Sequence, residues 1–375
     1  MAGEGAATTG LQRAITRQRE QVERDSLHAA IAALPRHDSR RQAWMAADQL
    51  SSAWVPSWPG SEDAMDASHF AECITTYLGR ESPVVRRLAG QHIHERRRVR
   101  VCDVWGFELG LASLPGGGDT VCHDEIAGVI FQMALAAGFQ GTVEPRHLFH
   151  GVMPAHTLYR QGAPPSVVPD AYMHMALREA GRARRTRRAT ARDWLLDVKT
   201  LHGMCAHYRT CHMQRQSAAV ANRAAAVPTE YVHHAREIDA DHQLGGAVEA
   251  RLRMLGEVAG LVVGQYAEGS EEVHSLIAAI ATRMASQRWR LLGFRSEAEA
   301  LSAYTTLVRR RVGVAAARAY ARHRIARVPY VGVPRAVIER HMRRQAEGRA
   351  GLTRGHVSAA ELFAHQVHHD MPRQG

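Results

Sequence analysis

Apolar residues recur along this chain in two rhythms, one helical and one extended. Leu11, Ile15, Val22, Leu27 and Ile31 fall at helical spacing in a polar stretch that ends at Pro35, which predicts a helix over 11–34. Phe70, Ile74 and Leu78 repeat every four residues and predict a short helix over 66–79. Between them, Pro56, Pro59 and Gly60 sit among tryptophans and mark 51–62 as a linker or packed loop. Pro115-Gly116-Gly117-Gly118 is a clear break. After it Ile126, Val129, Ile130, Met133 and Ala137 line one face of a helix over 123–138, with Gly138 placed to cap its C-terminus.

The extended rhythm follows. Residues 140–145, 167–177 and 194–201 read as strands, the last two flanking an arginine-dense loop over 178–192. A long helix is expected over 217–242, interrupted at Pro228. Residues 258–266 are apolar without alternation, as in a strand buried on both faces. Helical spacing returns over 271–284 and continues, rich in arginine, from Trp289 to a tail carrying His365, His368 and His369. The order helix, strand, strand, strand, helix, strand, helix points to an α/β fold with a covered mixed sheet. It divides the chain into an N-terminal helical region (1–95), a core (96–290) and a C-terminal arginine-rich helical region with its tail (291–375). No internal repeat is visible.

Composition adds three constraints. With 375 residues, 45% hydrophobic and 23% charged, the chain can bury a real core. Its net charge of +11 favours an acidic polymer as partner, nucleic acid before anionic membrane, although arginine-rich, lysine-poor composition also follows from GC-biased coding. Five scattered cysteines, Cys73, Cys102, Cys122, Cys205 and Cys211, form no disulfide framework. They point to a reducing, intracellular setting, nuclear in a eukaryote. No apolar run approaches a membrane span and the polar N-terminus has no signal pattern, so a membrane role is not expected. No pattern fixes an oligomeric state.

The sequence holds a single lysine, Lys199, within the apolar run Trp194-Leu195-Leu196-Asp197-Val198-Lys199-Thr200-Leu201. A composition that uses arginine for every other basic side chain keeps lysine where a compact, pKa-adjustable charge is needed. In a strand alternate side chains share a face, so Asp197 and Lys199 project together. Asp170 begins the preceding strand after Pro169, which cannot donate to a ladder and marks a strand start, bulge or edge. Two nearby carboxylates repel, and a hard divalent cation relieves the repulsion.

Pro169-Asp170 followed by Asp197-Val198-Lys199 resembles the PD-(D/E)XK superfamily of restriction-endonuclease-like nucleases. Leu196-Asp197-Val198-Lys199-Thr200 is also similar to the RecB-like branch. Together with His123 and Glu144-Pro145, the Pro-Asp hairpin resembles nuclease domains encoded by mobile elements. The resemblance implies an αβββαβ core flanked by the helical regions, and a Mg²⁺-dependent nuclease, with Mn²⁺ an alternative ion. It implies that Asp170, Asp197 and the Val198 carbonyl hold the metal while Lys199 assists the water. Glu125 and His123, on the first helix, are candidates to complete the site. Glu125 sits near a helix N-terminus, where acids are favoured anyway. The loop between the strands offers Arg182, Arg184, Arg185, Arg187 and Arg188 to phosphates of nucleic acid, DNA first. Two other readings stand beside this one: a catalytically inactive nuclease fold that binds nucleic acid or acts as a scaffold, and an unrelated protein with a structural Asp–Lys pair.

Overall fold

The computed structural model describes residues 4–35, 38–55, 64–115, 118–159, 165–175, 193–203 and 218–352. It is a mixed α/β structure around a four-stranded mixed sheet. The helices are α1 (Glu4–Ala32), α2 (Ser39–Ala46), α3 (Ala67–Tyr77), α4 (Phe107–Leu111), α5 (Gly118–Ala136), α6 (Ala155–Leu158), α7 (Ala218–Asp241), α8 (Ala247–Leu255), α9 (Glu271–Arg288), α10 (Glu297–Ile325) and α11 (Arg335–Leu352). Strands β1 (His92–His94) and β2 (Val99–Val101) form a separate hairpin, whereas β3 (Phe139–Val143), β4 (Ala171–Met175), β5 (Trp194–Leu201) and β6 (Val258–Gly264) form the sheet in that order.

The chain runs α5, three antiparallel strands, α7 and α8, then β6 parallel to β5. A parallel neighbour requires a crossover, which α7 and α8 supply. The strand expected over 194–201 forms over those residues. The one expected from Val167 begins later, at Ala171, because Pro169 has no N–H for the ladder. Pro228 does not interrupt the long helix but lies inside α7. Helix α8 and the β1–β2 hairpin were not expected, being too short to carry a clear period.

Two cores cover the sheet. On one face Ala171, Met173, Leu196, Val198, Leu261 and Val263 pack with α5, α9 and α10. On the other, Leu195 and Val258 pack with Val227, Tyr231 and Ala235 of α7 and Val248 and Leu252 of α8. The division at 95 and 290 does not separate independent cores: Leu50, Val308, Val312 and Tyr320 belong to the same cluster as the sheet. Helix α10 is pinned there by the Tyr320 hydroxyl, which donates to the Val263 carbonyl at 2.8 Å and accepts from the Leu201 N–H at 3.1 Å. Its far side holds α3 through a buried ion pair, Arg324 Nε to Glu72 Oε1 at 2.8 Å. Among the described residues no helix is long and apolar enough to cross a membrane.

Helix α7 approaches β6 closely at Gly260. A Cβ there would lie 2.7 Å from Val227 Cγ2 and 3.1 Å from the Ala224 backbone. Gly260→Ala is therefore expected to lower the unfolding free energy by about 1–3 kcal/mol, the usual range for overpacking, measured by urea denaturation.

Candidate active site

The site lies where β4 begins and β5 continues past it. The last paired residues are Ala171 and Leu196, so extending the register by one sets Asp170 opposite Asp197. Extending it by two sets Pro169 opposite Val198. Proline cannot donate, so the ladder fails at this point and Asp170 replaces it with its side chain: Oδ2 accepts the Val198 N–H at 2.7 Å. A residue's N–H and C=O leave an extended strand on the same side. The Val198 carbonyl therefore points towards Asp170, without a backbone donor opposite it.

Asp170 Oδ2 also lies 3.1 Å from Nε2 of His123, whose Nδ1 is 2.9 Å from Asp124 Oδ1. Burial pulls the imidazole's pKa down, but the hydrogen bonds it donates to both carboxylates, with their charges, outweigh it and raise the pKa to about 10. His123 is thus an imidazolium bridging two carboxylates. Burial acts in the other direction on Asp170, but His123 and the Val198 N–H prevail and hold its carboxyl below the ordinary range.

Asp197 is 2% exposed. Its Oδ1 accepts from Lys199 Nζ at 2.9 Å and from the Tyr231 hydroxyl at 2.9 Å. Its Oδ2 is buried without a hydrogen bond, although the Lys199 ammonium approaches to 2.7 Å as an ion pair. Burial raises the Asp197 pKa, Lys199 opposes that, and Asp170 adds to it. The two facing carboxylates are thereby driven apart: Asp170 is held ionised while Asp197 is pushed towards neutrality. Lys199 is about one-third exposed, so its ammonium reaches solvent while paired with Asp197.

The donor set suits a hard divalent cation. Asp170 Oδ1 accepts no hydrogen bond among the described residues, Asp197 Oδ2 meets only the Lys199 ammonium, and the Val198 carbonyl has no ladder donor opposite it. Oxygen ligands of this kind are what Mg²⁺ and Mn²⁺ take.

Of the residues singled out in the sequence, Asp170, Asp197, Val198, Lys199 and His123 come together. Glu125 does not join them. It lies two residues from His123, on a different face of α5, and its carboxylate pairs with Arg318 at 2.6 Å and Arg322 at 3.2 Å on α10. Two guanidinium groups satisfy that carboxylate, and its part is to dock α10 on α5. Arg182, Arg184, Arg185, Arg187 and Arg188 lie outside the described residues. Tyr231 is a site residue that the sequence did not reveal. It sits four residues from Val227 and from Ala235, and that spacing reads as core packing. Only the crossover brings its hydroxyl to Asp197.

One turn before His123 on α5, Asp119 heads a second cluster. His202 Nε2 and His323 Nε2 lie 3.3 and 3.4 Å from its Oδ1. The two rings stack with centroids 4.4 Å apart. The spacing resembles a metal site, but the protons do not. Arg327 Nη1 is 2.8 Å from His323 Nδ1 and can only donate, so the imidazole proton sits on Nε2. That N–H donates to the Gly110 carbonyl at 3.0 Å and leaves no lone pair for a metal. Burial, then His202 and Arg327, lower the His323 pKa to about 4, which keeps it neutral. The cluster is a hydrogen-bonded seam joining α4, α5 and α10.

His123 has a folded pKa of about 10 against an ordinary value of 6.5, so its stabilisation is complete below pH 6.5 and is lost as pH rises through 10. In urea titrations the wild type should lose stability across that window, and His123→Gln should lose less. Tyr231→Phe removes a hydrogen bond that holds the Asp197 carboxylate ionised, so the Asp197 pKa should rise further in a carboxyl-resolved NMR titration. The chain matches no protein-family model, and no curated protein or solved structure is detectably similar to it.

Proposed function

We propose that this protein is a metal-dependent nuclease acting on phosphodiester bonds of nucleic acid, DNA in the first instance. The observation that carries the reading is the register at the start of β4, which opposes Asp170 to Asp197 beside Lys199 and leaves the Val198 carbonyl without a ladder donor. Supporting it, the run α5, three antiparallel strands, a helical crossover and a parallel fourth strand agrees with the αβββαβ order of PD-(D/E)XK nucleases.

Asp170, Asp197 and the Val198 carbonyl would hold Mg²⁺ or Mn²⁺. Bound there, such an ion supplies a water of lowered pKa and neutralises phosphate charge. The chain's own residues do the rest. Lys199 has N–H groups beyond those directed at Asp197, and they can hold the attacking water and a phosphate oxygen. Tyr231 fixes the rotamer of Asp197. His123 and Asp124 fix Asp170 and offset its charge until substrate and cation arrive. The net charge of +11 draws a polyanion to the molecule.

A second reading, a nuclease fold that binds nucleic acid without cutting it, is favoured by one observation: Glu125, the acid that would complete the site from α5, is committed to Arg318 and Arg322.

The test is purified protein on linear and circular DNA with Mg²⁺ or with EDTA. Cleavage should require the metal, fall to background in Asp197→Asn and drop about 10²–10⁴-fold in Lys199→Ala, the range for loss of a general acid–base group. Glu125→Gln should still cut. Cleavage undiminished in Lys199→Ala rejects the role given to the lysine. Binding by the wild type without cleavage under any divalent ion selects the second reading.

A further inference from the structure

Helix α9 ends in a turn that displays two leucines to solvent, Leu291 at 83% exposure and Leu292 at 61%. The turn is well defined. Phe294 N–H donates to the Trp289 carbonyl at 3.0 Å, Gly293 N–H donates to the Arg290 carbonyl at 3.3 Å, and Gly293 has φ +74°. These are the bonds of a Schellman cap, with glycine at the left-handed position. The motif is commonly accompanied by one apolar contact, between the residues placed here as Trp289 and Phe294, and both pack against the main core. It requires nothing apolar at 291 and 292. Polar residues would end the helix equally well, so the cap does not account for the leucines.

Arginine surrounds the pair. Arg290 lies over the Trp289 ring, 4.7 Å from its centroid, and Arg295 is exposed on the following strand of the turn. Arg288 Nη2 donates to the Ala136 carbonyl at 2.7 Å, tying the turn to the C-terminal end of α5. Two acids follow in the first turn of α10: Glu297 is exposed, and Glu299 is committed to starting the helix, its carboxylate accepting the Arg295 N–H at 2.8 Å and its N–H donating to Ser296 Oγ at 3.1 Å, so three arginines outnumber them at the turn. The result is a rigid apolar tip flanked by positive charge.

We propose that the α9–α10 turn is a wedge for double-stranded nucleic acid, with Leu291 and Leu292 entering between base steps from the minor groove and Arg288, Arg290 and Arg295 on the flanking phosphates. Apolar side chains flanked by arginine unstack and kink duplexes in this way. The arginines select a polyanion over a neutral apolar partner, and the rigid cap presents the leucines without further ordering. The inference extends the nuclease reading by naming a duplex as the substrate. His123 and Ala136 are 13 residues apart on α5, about 20 Å at the helical rise. The turn is thus tied to α5 about 20 Å along the helix from the residue that bridges to Asp170.

The experiment uses the full chain in EDTA with a short duplex dye-labelled at both ends, read by anisotropy for binding and by energy transfer for bending. Wild type should bind and shorten the end-to-end distance. L291S/L292S, checked for an unchanged melting temperature, should bind at least about tenfold more weakly and leave the duplex straight. Retained bending by that variant overturns the proposal, as does failure of the wild type to bind duplex. Binding of the wild type to phosphatidylserine vesicles but not to duplex overturns it in favour of a membrane surface. Cleavage is scored separately with Mg²⁺. A wild type that bends but never cuts removes the nuclease reading and leaves the wedge, whereas cutting with unaltered bending in L291S/L292S removes the wedge and leaves the nuclease.

Discussion

Strand β5 is covered on both faces and paired on both edges until β4 falls away at Asp170, and a carboxylate in its middle has few ways to exist. Burying an isolated carboxylate costs several kcal/mol even after relaxation. Asp197 meets that cost with an ammonium and a phenol on one oxygen, and only an ion-pair contact on the other. Lys199 has to be on this strand, two residues away, because that is the nearest position sharing the face. Tyr231 has to come from α7, because α7 and α8 form the crossover that covers this face. The geometry of the site is thus the set of solutions to one desolvation problem.

The same problem recurs at the helices that close the other face. Helix α10 is buried for much of its length; it carries His323 and Arg324 into the protein and the half-buried Arg318 onto α5, and the buried Arg327 follows its end. Each finds a fixed partner: Glu125 on α5, Gly110 near α4, Glu72 on α3, and Asp119 at the start of α5. Removing one partner strands a charge, or in the His323 contact a buried N–H, so these contacts specify how α3, α4 and α5 dock on α10 more than they add net stability. Glu125 belongs to this docking set. Its neighbour His123, on a different side of α5, belongs to the site.

The two histidine clusters that meet α5, one at Asp119 and one at His123, show how proton placement decides chemistry. His123 lies between two carboxylates and is held charged. His323 lies against a guanidinium and a carbonyl and is held neutral with one tautomer. Helical spacing sets Asp119 and His123 on one side of α5, yet the surroundings give their clusters different tasks: one steadies the partly exposed carboxylate of Asp170, the other seals a joint between helices.

Much of this was legible in the order of residues. A 3.6-residue period located α5, and short continuous apolar runs located β5 and β6, because a helix with one buried face repeats at its own geometry and a strand covered on both faces is apolar throughout. The lone lysine two places from an aspartate drew attention to the strand that carries the candidate site, and Pro169 marked where its neighbour begins. Short segments such as β1, β2 and α8 were not legible, since too few residues fall on one face to define a period. Nor could the sequence separate Glu125 from His123, because both fit a helix start and only the packing of α10 claims one of them. Tyr231 likewise carries an ordinary core spacing. The chain by itself determined which residues share a strand or a helix face, a local matter of repeat geometry. The tertiary structure decided which of those faces meet, and with that which carboxylates, like Glu125, are taken up by cations of the fold and which, like Asp170, keep an oxygen without a hydrogen bond among the described residues.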